Sequence, residues 1–350
     1  MTQVLSDELY HSPFLRACRR EPVPYTPVWL MRQAGRYQKS YRDLRSRVSF
    51  LELCKTPELA TKVTVEAVEQ TGVDAAIIFS DILPILEPMG AELEYVGGSK
   101  PQIHNPIRTT ADIENLRELP TVEPLNYVFE ALKMTRRALP TNIPLIGFCG
   151  APFTLASYLI EGGGSKNYVL TKKLMYTDAG AWHELLAKLS RALVKYLNAQ
   201  IEAGANVVQI FDSWVGCLTP DDYREFVLPH TRSVIKGVEK GVPVIHFGTG
   251  TATLLELIRE AGGDVIGVDW HSNLDEAWAK IGFDKAVQGN LDPVQLFAPK
   301  EFLLKQAGRI LDLAGNRNGH IFNLGHGILP ETPMENVVAL VDYVHETSAR

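Results

Sequence analysis

Short apolar runs rich in β-branched residues recur along the chain, each ending abruptly at a polar residue or a glycine. Longer segments with helical spacing separate them. Eight runs stand out: 27–31 ahead of Arg32, 75–79 ahead of Ser80 and Asp81, 144–149 ahead of Gly150, and 206–211 ahead of Asp212 and Ser213. The other four are 243–247, 265–268 before Asp269, 286–288 before Gly289 and Asn290, and 321–324 before Gly325 and His326. Helical patterns cover 57–71 with proline in its first turn, 182–203, 251–261 up to Gly262 and Gly263, and 300–313.

Near-continuous apolar strands alternating with helices predict a parallel sheet buried on both faces. Eight of them predict an α/β fold of the closed (β/α)8 TIM-type barrel. An open doubly wound sheet fits the alternation too, but it favours fewer strands and a G-x-G-x-x-G turn after the first, where this chain has RQAGR. In a barrel the chemistry gathers at the carboxyl ends of the strands. That rule nominates Arg32, Asp81, Asp212, Ser213, His246, Asp269, Asn290 and His326. The stretch 83–127 is too long for a simple strand-to-helix connection, and its pieces GAELEYVGG and PQIHNPIR predict an insertion or hairpin over the mouth. With no linker or internal repeat, 1–350 reads as one catalytic domain with a short N-terminal extension over 1–24.

Composition narrows the function. Hydrophobic residues at 45% and charged ones at 22% exclude a disordered chain, a collagen-like fibre and a coiled-coil rod. A net charge of -6 gives no general attraction to nucleic acid or anionic membrane, so any anionic ligand has to be met locally. The local charge exists: the first fifty residues carry nine basic against four acidic side chains, leaving the remainder strongly acidic. Four cysteines without a C-x-x-C pair point to a reducing compartment and no structural zinc. The first residues lack a signal-type apolar core, Asp7 and Glu8 count against a transit peptide, and no window reaches the roughly 18 apolar residues of a membrane span. The expectation is cytoplasm, or a plastid stroma after removal of a presequence.

Several residues could carry chemistry. In MRQAGRY, Arg32 and Arg36 flank Gly35 right after the first strand, where two guanidiniums could clamp carboxylates or phosphates. The same pair would serve as well in a solvated helix start. Asp81 ends an otherwise apolar stretch, which costs free energy unless it is partnered, so it is either a cap or a site carboxylate. FCGAPFTLASYLIEGGGS leads from a tight turn into an apolar helix with Ser157 and Tyr158, then Gly162–Gly164, a flexible connection or else a hinged flap or anion nest. Tyr158 suits core filling equally. His326 sits between two glycines, which suggests that something approaches its ring closely, and the HFGTG turn at His246 is a weak phosphate-binding signal. There is no H-x-x-x-H, H-x-C, Walker A or G-x-S-x-G pattern.

In order along the chain, PVWLMRQAGRY, IIFSDIL, GFCGAPFTLASYLIEGGGS, FDSW, GNLDP and FNLGHGI together resemble the uroporphyrinogen decarboxylase family, over nearly the whole length. The resemblance implies a (β/α)8 barrel, a homodimer whose two clefts face each other, and no metal or organic cofactor. It implies removal of the four acetate carboxyls of uroporphyrinogen III to give coproporphyrinogen III in haem and chlorophyll synthesis. Carried onto this sequence, the substrate-binding stretch is Arg32, Gln33, Ala34, Gly35 and Arg36, the central aspartate Asp81, the tyrosine Tyr158, the hydroxyl Ser213 and the histidine His326. Arg32, Asp81, Tyr158 and His326 are the expected catalytic groups. Two other readings stay in view: a zinc- and cobamide-dependent methyltransferase on a related barrel, which would need an H-x-C ligand pair where His246 is followed by Phe247 and Gly248, and a non-catalytic tetrapyrrole carrier.

Overall fold

In the computed structural model, residues 5–98 and 100–350 are described. Strand β1 (Ala76–Ile77) is followed by a hairpin, β2 (Leu93–Val96) and β3 (Lys100–Ile103), and then by β4 (Leu145–Gly150), β5 (Val207–Asp212), β6 (Val244–Gly248), β7 (Val265–Gly267), β8 (Ala286–Gln288) and β9 (His320–Ile321). Seven of them form one curled parallel sheet in the order β1-β4-β5-β6-β7-β8-β9. This order never reverses, whereas a doubly wound sheet requires a switch point. The open-sheet alternative is therefore excluded.

Helices α1 (Pro57–Thr71), α2 (Pro152–Glu161), α3 (Ala179–Glu202), α4 (Leu255–Ala261), α5 (Lys300–Ala314) and α6 (Met334–Thr347) include the four periodic segments. Proline opens α1, and its end is marked by Gly72 at φ 70, a left-handed cap that glycine adopts without steric cost. The helix expected over 251–261 starts only at Leu255, because Thr251–Leu254 form a turn instead.

Alternation along the strands divides the interior. Leu145, Val208, Ile210, Ile266 and Val287 pack under the helices, while Ile146, Val207, Ile245, Val265, Ala286 and Ile321 face a second core inside the curl. The extension expected over 1–24 fills that inner core from the N-terminal ends of the strands, with Leu9, Phe14, Leu15 and Val23 buried in it.

The first expected strand, 27–31, is not a regular strand. It makes a single parallel bridge, Val28 with Phe322, in which Phe322 N–H donates to Pro27 O at 2.9 Å. On its other side Asp74 N–H donates to Val28 O at 2.7 Å, but Val28 N–H goes to the Asp74 carboxylate rather than to a neighbouring strand. A side chain thus interrupts the ladder. The second and eighth runs are likewise shortened, to Ala76–Ile77 and His320–Ile321, while 286–288 is a strand with the expected bounds.

Asp74 is buried and also accepts from the Tyr25 hydroxyl at 2.9 Å and meets His345 Nε2 at 2.7 Å, so it ties the N-terminal segment and α6 to the edge of the sheet. Asp74→Ala would strand the buried Val28 N–H and the Tyr25 hydroxyl, and is expected to lower the free energy of unfolding by about 3 kcal/mol. Urea denaturation at pH 7 measures this, and a loss well under 1 kcal/mol would contradict the role given to Asp74.

Candidate active site

A cavity of about 630 Å³ opens at the carboxyl ends of the strands, a size suited to a bound small molecule. Arg32, Ala34, Gly35, Arg36, Asp81, Tyr158, Ser213 and His326 all line it. Gln33 does not. Its side chain is fully buried, accepting from Leu30 N–H at 3.2 Å and donating to Ala75 O at 3.1 Å, and the Tyr37 hydroxyl donates to its carbonyl at 2.6 Å. Those bonds hold the turn that carries Arg32, whose φ of 63 lies in the left-handed region that a non-glycine residue adopts only when its surroundings enforce it.

His326 and Arg32 share a wall. A side chain on Gly327 would lie 2.4 Å from Arg32 Cδ, and one on Gly325 would lie 2.3 Å from Trp270 N, so the two glycines admit the Arg32 stem and the Trp270 backbone. The glycines around His326 therefore receive neighbours from this chain. His326 Nδ1 accepts from Gly327 N–H at 2.7 Å, which assigns the ring proton to Nε2. Burial first, and then the Arg32 charge, push its pKa down to about 4, so the ring is a neutral donor near neutral pH.

Asp81 ends the β1 segment with Oδ1 accepting from Leu83 N–H at 2.9 Å. Burial pushes its pKa above the ordinary carboxylate range, against the opposing pull of Tyr95, Leu83 and Arg32. Its surroundings make the charged form depend on those partners. Burial lowers Arg32 from its usual value, and the nearby Arg36 charge adds to that while Asp81 opposes it. Among the described residues neither Arg32 nor Arg36 forms an ion pair.

Tyr158 reaches the cavity from α2, with its ring 3.8 Å from that of Trp214. Trp214 follows Ser213 in the turn after β5. Phe148, Phe211 and Phe247, from the ends of β4, β5 and β6, meet edge-on at 5.5 and 6.0 Å between ring centres and make an aromatic floor. The hairpin of β2 and β3 roofs the cavity with Tyr95, and Arg45 adds a third arginine to a lining whose one carboxylate among the described residues is Asp81. The sequence reading did not single out Arg45, Tyr95, Trp214 or the three phenylalanines. Arg45 was visible only as part of the basic N-terminal segment, and Tyr95 only as part of the expected roof.

The other strand-end candidates are elsewhere. His246 is fully buried with Nδ1 against Gly262 O at 3.3 Å, facing the helices, and its pKa is pushed down to about 4 by burial. Gly250 N–H, which the HFGTG turn would offer a phosphate, donates instead to Asp269. Asp269 also accepts from His271 N–H at 3.1 Å, and Asn290 donates to Asp269 O at 2.8 Å and Ser272 O at 2.7 Å, so both tie loops together outside the cavity lining. Asp212 lies under the wall, accepting from the Thr154 hydroxyl at 2.8 Å, and burial pushes its pKa up to about 7. Gly162 accepts from Ile103 N–H at 2.8 Å, so the triple glycine begins by pinning the hairpin to α2 and not as a free flap.

Residues 10–347 match the family model described as Uroporphyrinogen decarboxylase (URO-D). The chain belongs to the uroporphyrinogen decarboxylase family. It is 58% identical over 337 residues to the uroporphyrinogen decarboxylase of Carboxydothermus hydrogenoformans and 56% identical over 336 residues to that of Sorangium cellulosum, with 96% of each chain covered in both cases. Among solved structures, a methyltransferase from Methanosarcina mazei is similar with a TM-score of 0.81 at 23% identity, covering 96% of this chain and 98% of that one. A B12-independent methionine synthase from Shewanella sp. is similar with a TM-score of 0.56 at 12% identity, over 83% and 88% of the two chains. These likenesses concern the fold.

Because the Arg32 side chain lies over Gly327, Gly327→Ala is expected to push it off the wall while leaving the fold intact. Affinity for a polycarboxylate tetrapyrrole should fall about tenfold, equal to ~1.4 kcal/mol, with the thermal midpoint almost unchanged. Calorimetric titration with uroporphyrin I as the probe checks this, and unaltered affinity would separate Arg32 from ligand binding.

Proposed function

We propose that the cavity decarboxylates the acetate side chains of uroporphyrinogen III to coproporphyrinogen III, with no metal or organic cofactor. The observation that carries this reading is the charge arrangement: three guanidiniums and one carboxylate over an aromatic floor, in a cavity of about 630 Å³. The substrate bears eight carboxylates around a ring of inward-pointing pyrrole N–H groups. Arg32 and Arg36 meet the periphery with paired hydrogen bonds, while Arg45, whose two Nη atoms already donate to Val48 O and Gly98 O, adds positive charge, which is how a net-acidic protein binds such an anion. Phe148, Phe211 and Phe247 lie against the apolar faces and exclude water.

A carboxyl leaves a pyrrole acetate only if the released electron pair has a sink. Protonating the ring carbon makes the pyrrole that sink. The cation then developing needs a counter-charge near the ring nitrogens, and Asp81 supplies it by accepting from the N–H groups. Its binding of a positive partner is strengthened by the low-dielectric walls that raise its own pKa. Neutral His326, through Nε2–H, and the Tyr158 and Ser213 hydroxyls hold carboxylates without adding charge. The ring proton comes either from Arg32, whose hold on it is lowered by burial and restored in part by Asp81, or from substrate or solvent; once CO2 leaves, a proton adds to the exocyclic methylene to make the methyl group and the ring carbon returns its proton.

The same reading has the segment Pro27–Met31 complete a closed eight-stranded barrel, supported by its bonds to Phe322 and Asp74, with 1–350 as one catalytic domain. It has the chain working in the cytoplasm as a homodimer whose clefts face each other, in keeping with the exposed Val169, Leu170 and Tyr176 on the helix after the triple glycine. No helix among the described residues is long and apolar enough to cross a membrane. The zinc-dependent methyltransferase reading fares poorly, since His246 faces the helices and no three His, Cys, Asp or Glu side chains among the described residues could share an ion.

Anaerobic incubation with uroporphyrinogen III and no added metal should yield seven-, six-, five- and four-carboxyl products in succession; unchanged substrate that still binds would leave a carrier. Asp81→Asn should cost about 100-fold or more in kcat with KM moving only a few-fold, because the charge matters most in the transition state. Equal kcat in steady-state assays would sink that role. Arg36→Lys should raise KM about tenfold, as one ammonium does not reproduce a two-pronged contact, and unchanged kinetics would make Arg36 a surface residue.

A further inference from the structure

The roof of the cavity contributes a group that neither the motifs nor the proposed chemistry uses. Along β2 the side chains alternate, with Glu94 and Val96 exposed and Leu93 and Tyr95 turned inward. The Tyr95 ring packs on Phe50 at 4.8 Å between centres, and the hairpin is held by Arg45, whose Nη2 donates to Gly98 O at 3.2 Å. The Tyr95 hydroxyl is buried beside the Asp81 carboxylate without a well-aligned hydrogen bond to any described residue. A buried hydroxyl left in that state costs about 1–3 kcal/mol. Asp81 Oδ1 already accepts from Leu83 N–H, Ile82 N–H also faces the carboxylate, and among the described residues no side chain donates to it in full hydrogen-bond geometry.

We propose that Tyr95 is a positioning residue for Asp81, donating its O–H to the carboxylate, so that the loaded site holds Asp81 ionised and aimed at the pyrrole N–H groups. This inference rests on the proposed function. Asp81 is faced by Arg32 from the first turn, Tyr95 from the hairpin, Tyr158 from α2, Cys54 from the helix Phe50–Lys55, and more distantly Tyr127. Burial pushes the Cys54 thiol and the Tyr158 and Tyr95 hydroxyls up, so all three stay protonated in the working pH range. Of the side chains facing Asp81, Arg32 and Tyr95 are the ones that favour its charged form. The roof thereby couples to the chemistry: if the hairpin lifts, Asp81 loses a donor.

The test is Tyr95→Phe, which keeps the ring on Phe50 and removes only the hydroxyl. Turnover of uroporphyrinogen III by wild type and variant is followed across pH 5 to 9. Loss of the donor raises the Asp81 pKa, so the acid limb of the kcat profile should move up by about one pH unit. The rate deficit should be about tenfold below the limb and shrink toward none well above it, with KM changed less than about twofold. In the Asp81→Asn background the same substitution should have no further effect on kcat, since the charge it serves is gone. Phe50→Leu, which loosens the packing but keeps the hydroxyl, should slow turnover equally at every pH without moving the limb. An unmoved acid limb in Tyr95→Phe would overturn the proposal, as would a loss confined to KM, which would make the hydroxyl a substrate contact. Absence of turnover in the wild type would instead strike at the proposed function, so the two failures are distinguishable.

Discussion

Pro27–Met31 is held from two sides at once, by the bridge to Phe322 at one edge of the sheet and by Asp74 at the other. The position of everything on the first turn follows from that grip. Met31 N–H donates to Asn323 Oδ1 at 3.1 Å and Met31 O accepts from Ile328 N–H at 2.9 Å, so the segment before Arg32 is docked onto the segment around His326. Two stretches nearly three hundred residues apart thereby form a single wall, with the Arg32 side chain lying across Gly327. The left-handed backbone at Arg32 is tolerable only because Gln33 and these contacts over-determine it.

From that wall the electrostatics of the site can be understood. Three guanidiniums line the cavity of a chain whose net charge is -6, and among the described residues neither Arg32 nor Arg36 is consumed by an ion pair. Charge left uncompensated in a partly buried cavity is held in readiness for an anion, at a cost that the rest of the fold offsets. His326 is kept neutral by its burial and, after that, by the Arg32 charge, and so it serves as a donor and not as a fourth charge. Asp81 stands as the counterweight, its charge favoured by Arg32, Leu83 and Tyr95 and disfavoured by burial.

A polar layer beneath the walls keeps these groups in register. Asp212 receives the Thr154 hydroxyl, and Thr154 lies one turn before Tyr158 on α2. Trp214 N–H in turn points to Thr154 Oγ1 at 3.4 Å, so the Ser213 turn and the Tyr158 helix share one anchor. Asp269, His271 and Asn290 perform a comparable service on the opposite side by joining loops. These strand-end residues have the composition of a catalytic site and the geometry of a scaffold.

The alternation of apolar runs and helical spacing determined the α/β architecture, because a parallel strand buried on both faces leaves a short continuous apolar run, and its regular recurrence between longer helical segments distinguishes it from a buried helix. The motifs RQAGRY, IIFSDIL, GAPFTLASY, FDSW and NLGHG likewise pointed to the family and to eight residues of the cavity lining, Arg32, Ala34, Gly35, Arg36, Asp81, Tyr158, Ser213 and His326. Strand length was not legible, since a ladder is made with partners from elsewhere in the chain, and Asp74 took a donor that run 27–31 would have given to a neighbour. Nor could Gln33 be separated from Arg32, or His246 from His326, because which face a strand-end side chain takes depends on where the turn after it leads. Tyr95, Arg45 and the aromatic floor became site residues only when distant segments met over one cavity, and that meeting is decided by tertiary packing.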